Sequence, residues 1–233
     1  MKSSEEVKQF YDNYQHKFRH NVRHYIILNK LLDLGLKHSK HILEIGCGNG
    51  ALTKLMVDKL NNGKITAVDI SSESIAHAKV NLKGYTNITH VVSDIADFTP
   101  DSKFDMVVIS DVLEHIPMDY HDGLFKKLNE VMGEDGLIFI NIPEPKALEW
   151  VAKHEPEKLQ VIDQALHSDK LLSAAYKHGF YLTELKSYPI YKDNADSQNI
   201  VFAKRSRTYD YKPVSQLSII ITKYYCYFRS KLK

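Results

Sequence analysis

From residue 41 onwards, short apolar runs alternate with longer amphipathic ones. "HILEI" (41–45), "ITAVDI" (65–70), "ITHVVS" (88–93), "FDMVVIS" (104–110) and "GLIFINI" (136–142) have the length and the Ile/Val content of buried strands. Between them, "ALTKLMVDKL", "SSESIAHAKVNL" and "DGLFKKLNEVM" repeat their apolar residues at helical spacing. Strand–helix alternation of this kind requires crossover connections. It therefore predicts an α/β fold with a Rossmann-like, mostly parallel sheet and helices on both faces.

The flanks read differently. Residues 4–36 read as helical throughout, with Val22, Ile26, Leu28, Leu31, Leu32 and Leu36 near helical spacing and Gly35 as the stop. After residue 142, Pro143 and Pro145 break the rhythm, and residues 146–166 read as helical or irregular, with Trp150 either a core residue or a wall of an acceptor pocket. "SDKLLSAAYKHGF" reads as a short helix with Ser168 as its N-cap and Gly179 as its stop. "YLTELKSY" and "QNIVFAK" then form a closing antiparallel pair. The chain divides into an N-terminal helical segment (1–37), an α/β body (38–204) and a C-terminal tail (205–233). An insertion at about 143–178 lies within the body and is too long for a plain connector, and long connections in compact domains are often functional.

Composition narrows the class. At 233 residues the chain holds one large domain with a real core. Cys47 and Cys226 are far apart and fit neither a disulfide nor a metal-ligand pattern, so no metal is expected and a reducing compartment is. "MKSSEEVKQFYDNY" lacks the apolar stretch of a signal peptide, and no run approaches the roughly 18 apolar residues of a membrane span. A cytoplasmic location is the expectation. Residues 204–233 hold eight Lys/Arg against one acid, Asp210, a net +7; the whole chain is +2, so residues 1–203 carry −5. An acidic body argues against nucleic acid as a partner, which needs many phosphate-neutralising cations.

The chemistry concentrates in "ILEIGCGNG" (42–50). Ligands of open parallel sheets bind beyond the carboxyl ends of the strands, and this glycine loop lies at such an end. Gly46 permits a tight turn, Gly48 lets ligand atoms approach the backbone, and Gly50 allows the following helix to pack closely. "ITAVDI" brings Asp69, 21 residues after Gly48, to the end of the next strand, where a carboxylate suits two ribose hydroxyls. The glycine spacing is not G-x-G-x-x-G. Glu44 just before it would repel a pyrophosphate and suit a cationic ligand. S-adenosylmethionine (SAM), with its sulfonium and ammonium, satisfies both requirements. In "SDI", Asp94 could read an adenine amino group and Ile95 could pack on the ring.

Taken together, "ILEIGCGNG", "VDIS", "SDI" and "VVISDVLEHIP" resemble the successive motifs of class I SAM-dependent methyltransferases. The resemblance is specific over about residues 40–142 and general over about 10–204. It implies a seven-stranded sheet with its last strand antiparallel, SAM across the carboxyl ends, and S-adenosylhomocysteine (SAH) as product. By position, Gly46 and Gly48 approach the cofactor and Asp69 with Ile70 binds ribose. Asp94 and Ile95 frame adenine, and Ser110 and Asp111 line the methionine end. Related small-molecule methyltransferases fold an N-terminal helix over SAM as a lid, and Tyr11 and Tyr14 sit three apart on such a helix.

Methyl transfer is an in-line displacement, so the acceptor must be held on axis, and a hydroxyl acceptor benefits from a base. Three residues near the strand ends are candidates. His115 follows the fourth strand and is either a base or a histidine hydrogen-bonded into its loop. Glu144 follows the fifth strand and is either an acceptor-side carboxylate or a solvated one. His167 ends the insertion and is either a base or a turn residue. No Asn-Pro-Pro-Tyr type run, a mark of nucleic-acid methyltransferases, follows the fourth strand. The reading is a methyltransferase of a small polar acceptor, first a hydroxyl of a sugar or related metabolite, second a quinone or lipid intermediate. A reading from another class is a non-catalytic SAM-binding or partner-binding regulatory subunit, against which the intact Gly46, Gly48 and Asp69 speak. The oligomeric state stays open.

The tail adds one further feature. In "QLSIIITKYYCYFRSKLK", Leu217, Ile220, Ile221, Tyr224 and Phe228 recur at spacings of three and four, with Lys223, Arg229, Lys231 and Lys233 around or beyond them. If helical, residues 215–233 suit either a packed helix or peripheral contact with an anionic membrane surface.

Overall fold

The computed structural model describes residues 4–13, 17–205 and 211–231. Arg207, Asp210 and Lys233 of the tail lie outside the described residues. Two helices, α1 (Ser4–Asn13) and α2 (Val22–Asp33), precede the first strand, β1 (His41–Ile45). The body then runs α3 (Ala51–Val57), β2 (Lys64–Asp69), α4 (Ser72–Asn81), β3 (Ile88–Val92), β4 (Phe104–Ser110), α5 (His121–Val131) and β5 (Met132–Pro143). It closes with α6 (Pro145–His154), α7 (Ser168–Lys177), β6 (Phe180–Tyr188) and β7 (Ser197–Lys204); α8 (Gln216–Lys231) follows.

The seven strands form one sheet in the order β3-β2-β1-β4-β5-β7-β6. Strands β1 to β5 pair in parallel, and β7 runs antiparallel to both β5 and β6. The α/β class, the parallel body and the antiparallel last strand are as the sequence implies. Alternate residues of the central strands face two apolar layers. Leu43, Val107, Ile140 and Phe202 meet Phe125 and Leu128 of α5 and Leu171 of α7. Ile42, Val108, Phe139 and Val201 meet Ile27 and Leu31 of α2 and Met56 of α3. Each such side chain, fully removed from water, contributes about 1.5–3 kcal/mol, so these two layers hold the strand ends in register.

Three local expectations are corrected. The helical stretch 4–36 is two helices, because Asn21 caps α2. Asn21 Oδ1 accepts from the His24 N–H at 3.1 Å, and His24 Nδ1 accepts from the Asn21 N–H at 3.2 Å. The cap position of α7 is His167, in extended conformation and without a side-chain cap bond, and Ser168 is the first helical residue. Trp150 is not in the core: it is 45% exposed, stacked on His154, with Lys192 Nζ 3.9 Å from its ring centre.

The topology fixes where a ligand can sit. After β1 the chain goes outward to β2 and β3, then crosses back to β4 on the other side of β1. The loops leaving β1 and β4 therefore part in opposite directions and leave a crevice at the carboxyl ends of the strands.

Candidate active site

The β1 side of that crevice is the glycine loop. Gly46, Gly48 and Gly50 all have positive φ (73°, 53° and 85°), a conformation that side chains disfavour. Their open space differs. A Cβ on Gly46 would collide with Val112, and one on Gly50 would lie 2.6 Å from Leu82, just beyond α4. The helix that Gly50 admits is thus α4, not α3 as the spacing suggests. A Cβ on Gly48 meets nothing within 4 Å. The open side of the loop is at Gly48.

Asp69, at the end of β2, pins this loop. Its Oδ2 accepts the Gly48 N–H at 2.8 Å and its Oδ1 accepts the Ser71 N–H at 2.9 Å. Burial raises its pKa, against the lowering by these two N–H groups. Ile70 follows it, half-buried. At the end of β3, Asp94 is half-buried and accepts the Ala96 N–H at 3.0 Å, with Ile95 buried beside it. Glu44 lies beneath the loop, 3% exposed, with Thr53 Oγ1 donating to Oε2 at 2.6 Å. Burial pushes its pKa up to about 8, aided by the charge of Asp69 and opposed by Thr53.

This has a measurable consequence. An unfolded Glu titrates near 4.5, so between about pH 4.5 and 8 the folded chain holds the Glu44 proton that the unfolded chain has lost. This group's contribution to stability is complete below that window and is lost as pH rises through it. Glu44→Gln, which keeps the shape and the neutral form, is expected to remove that loss. Its stability relative to wild type should climb between pH 5 and 8 by up to about 1.4 kcal/mol per pH unit. Urea titrations across that range check it; a constant difference would show that Glu44 is ionised in the folded chain.

The β4 side is polar and interconnected. Asp111 takes positive φ (54°) directly after β4. Its Oδ1 accepts from Arg23 of α2 at 2.6 Å and from Asn141 of β5 at 3.1 Å, and Ser110 Oγ donates to its Oδ2 at 3.2 Å. Asn141 Oδ1 in turn accepts from Tyr188 at 2.6 Å. Beyond Asp111, the 3-10 turn Leu113–His115 buries Glu114 and His115. Burial, together with the charge of Asp111, raises the pKa of Glu114, whose Oε2 has no hydrogen-bond partner among the described residues.

His115 is held from one side. Its Nδ1 lies 2.5 Å from the Ile162 carbonyl oxygen and 3.1 Å from Asp163 Oδ1. Both neighbours are acceptors, so Nδ1 carries the hydrogen, and in the neutral ring Nε2 presents the lone pair. The carboxylate oxygen of Glu114 is 3.9 Å from Nε2. Burial lowers the His115 pKa, but Asp163, Glu114 and the Ile162 carbonyl outweigh it, and the net shift is upward.

Helix α1 lies over both sides. Asp12 accepts from Ser71 Oγ at 2.7 Å, next to Asp69. Tyr11 donates to Gln160 at 3.1 Å, and its ring centre is 6.0 Å from that of His115. Tyr14 lies outside the described residues.

The other two base candidates have partners of their own. Glu144 is the N-cap of α6, its Oε2 accepting the Ala147 N–H at 2.9 Å. His167 is 52% exposed and paired with Glu149 at 2.7 Å. Spacing alone did not reveal Asp163, Arg23, Asn141, Tyr188 or Asp12, which reach the site from remote parts of the chain; the crowding of polar residues into the insertion around Asp163 was the only hint.

A family model described as "Methyltransferase domain" matches residues 42–136. The chain is 28% identical over 107 residues to (S)-coclaurine N-methyltransferase of Thalictrum flavum subsp. glaucum, covering 45% of this chain and 29% of that protein. It is 25% identical over 165 residues to ubiquinone biosynthesis O-methyltransferase of Glaesserella parasuis serovar 5, covering 64% of this chain and 68% of that protein. The chain thus spans under a third of the first relative and about two thirds of the second. Among solved structures, N-methyltransferase NodS from Bradyrhizobium japonicum WM9, in complex with SAH, superimposes with a TM-score of 0.66 at 17% identity. That match covers 86% of this chain and 98% of NodS, and at this identity the likeness concerns the fold.

Proposed function

We propose that the chain is a class I SAM-dependent methyltransferase, as the match of residues 42–136 to a methyltransferase domain supports, and that it methylates a small polar acceptor with SAM, at a hydroxyl of a sugar or related metabolite. The observation that carries the reading is the joint placement of Gly48 and Asp69: an open backbone approach and a half-buried carboxylate, hydrogen-bonded to each other at the switch point of the sheet.

The residues present fit the cofactor. Gly46 and Gly48 supply the backbone edge, and Asp69 with Ile70 holds the ribose through the lone pairs its N–H partners leave. Asp94 and Ile95 frame the adenine, and Ser110 and Asp111 line the methionine end. Glu44 places a carboxyl under the loop whose ionisation a bound cation favours. When bound, SAM supplies an electrophilic methyl group on a sulfonium. The chain's own part is to orient the acceptor, exclude water and take its proton. Helix α1, joined through adjacent residues of its last turn to Ser71 (by Asp12) and to Gln160 (by Tyr11), acts as the lid, with Tyr11 beside His115.

His115 is the base in this reading, with its lone pair on Nε2, and Asp163 is the positioning residue behind it. The remaining candidates take supporting places: Glu144 follows β5 as the N-cap of α6, and His167 is exposed and paired with Glu149. Arg23 and Tyr188, tied through Asp111 and the buried Asn141, put partly exposed polar groups beside the methionine end, which suits a hydroxylated acceptor. The relative covered over 68% of its length is a ubiquinone biosynthesis O-methyltransferase, which supports an oxygen acceptor and keeps a quinone intermediate as the second reading.

The test is methyl release from labelled SAM across pools of free sugars, nucleotide sugars and hydroxylated quinone precursors. Turnover on a sugar pool is expected. Turnover on the quinone pool alone would contradict the acceptor class, and SAM binding without transfer to any pool would favour the regulatory-subunit reading. Once an acceptor is known, kcat should fall as pH drops through the raised pKa of His115, above 6.5, because protonation removes the Nε2 lone pair. Asp163→Asn removes the charge that raises this pKa and is expected to move the midpoint down, while lowering kcat about tenfold or more. An unmoved midpoint would take Asp163 out of the role.

A further inference from the structure

The C-terminal helix is the feature that the methyltransferase reading leaves unexplained. Every residue of α8 is exposed, although Leu217, Ile220, Ile221, Tyr224 and Phe228 are 48–66% open to solvent. Isolated helices of this length are marginal in water, and their stability in proteins comes from covering an apolar face. Successive residues turn by about 100° on a helix, which puts these five on one side, with Thr222, Cys226, Ser230 and a single large apolar residue, Ile219, opposite, and Ser218 and Arg229 on one flank. Nothing among the described residues covers that side.

Charge decides between the possible covers. Residues 211–231 contain Lys212, Lys223, Arg229 and Lys231 and no Asp or Glu. A second copy of α8 would bring like charge against like, with no carboxylate to pair across the contact. An anionic lipid surface meets both properties at once: the acyl boundary takes the apolar side, and the headgroups take the cations. Tyr224, Tyr225 and Tyr227 are residues that partition to that interface, and long Lys and Arg side chains reach back to the headgroups. The helix is about 24 Å long, against a hydrocarbon core of about 30 Å. No helix among the described residues is long and apolar enough to cross a membrane, so α8 would lie along the surface.

We propose that α8 binds the chain peripherally to an anionic lipid bilayer through its exposed apolar side and its basic residues. The test uses the full chain with vesicles of phosphatidylglycerol and phosphatidylcholine, and with vesicles of phosphatidylcholine alone, at low salt. The chain is expected to sediment with the anionic vesicles, at least tenfold less with the neutral ones, and to be released as salt rises. Two variants separate the contributions. Ile221→Glu with Phe228→Glu should abolish sedimentation. Lys223→Gln with Arg229→Gln should weaken it by about fivefold per charge removed. Neither should alter SAM binding, which isolates this proposal from the function of the body. Equal recovery of the wild type in the supernatant with both vesicle types would overturn it, as would binding that both variants retain. A dimer in light scattering that the Glu variant dissolves, with no vesicle binding, would assign the face to a second copy instead.

Discussion

Asp69→Ala is expected to weaken SAM binding by more than tenfold while the fold survives. Two effects combine. The side chain provides charge-assisted hydrogen bonds to the ribose, each worth about 1.5–3 kcal/mol. It also accepts the Gly48 and Ser71 N–H groups, so its loss releases the loop that presents the open backbone edge. Asp69→Asn keeps one acceptor oxygen and should fall between the two. Calorimetric titration of each variant, with circular dichroism as the control for folding, checks this. An unchanged dissociation constant in Asp69→Ala would remove the ribose assignment.

His115→Ala carries the largest expected effect on turnover, a loss of about 10²–10⁴-fold in kcat, the range for a positioned base. SAM affinity should stay within about threefold, since the ring lies on the β4 side of the crevice. The imidazole also bridges the insertion to the loop after β4 through Ile162 and Asp163, so a rate loss by itself could be structural. Rescue by added imidazole separates the two, because a free base restores proton transfer but not a tether. No loss of rate in His115→Ala would move the search to His167.

The strands and the glycine loop were legible because their signals are local. β1 is five consecutive apolar-rich residues, and the loop is three glycines that the backbone confirms by three positive φ angles. Asp69 was legible because the βαβ unit fixes how far along the chain the neighbouring strand must end. The start of α2 was missed because the apolar pattern runs through Asn21, and only the reciprocal bonds of Asn21 and His24 mark the break. The partners of His115 were hidden for a different reason. Asp163 comes from an irregular insertion, and its contact depends on how α6 turns the chain back over the strand ends. The Arg23–Asp111–Asn141 cluster likewise joins residues 88 and 30 positions apart, which no periodicity connects. Glu144 and His167 stood at plausible positions in sequence, but helix starts compete for such polar residues, and both mark one here.

The central claim is that the crevice between β1 and β4 is built for SAM and not for a pyrophosphate dinucleotide. Titration of SAH into the wild-type chain, with NAD as the parallel ligand, tests it most directly. The account predicts saturable one-to-one binding of SAH and none of NAD, because the loop spaces its glycines as Gly46-x-Gly48-x-Gly50 and not as the G-x-G-x-x-G that cradles a pyrophosphate. Saturable NAD binding with no heat from SAH would contradict it.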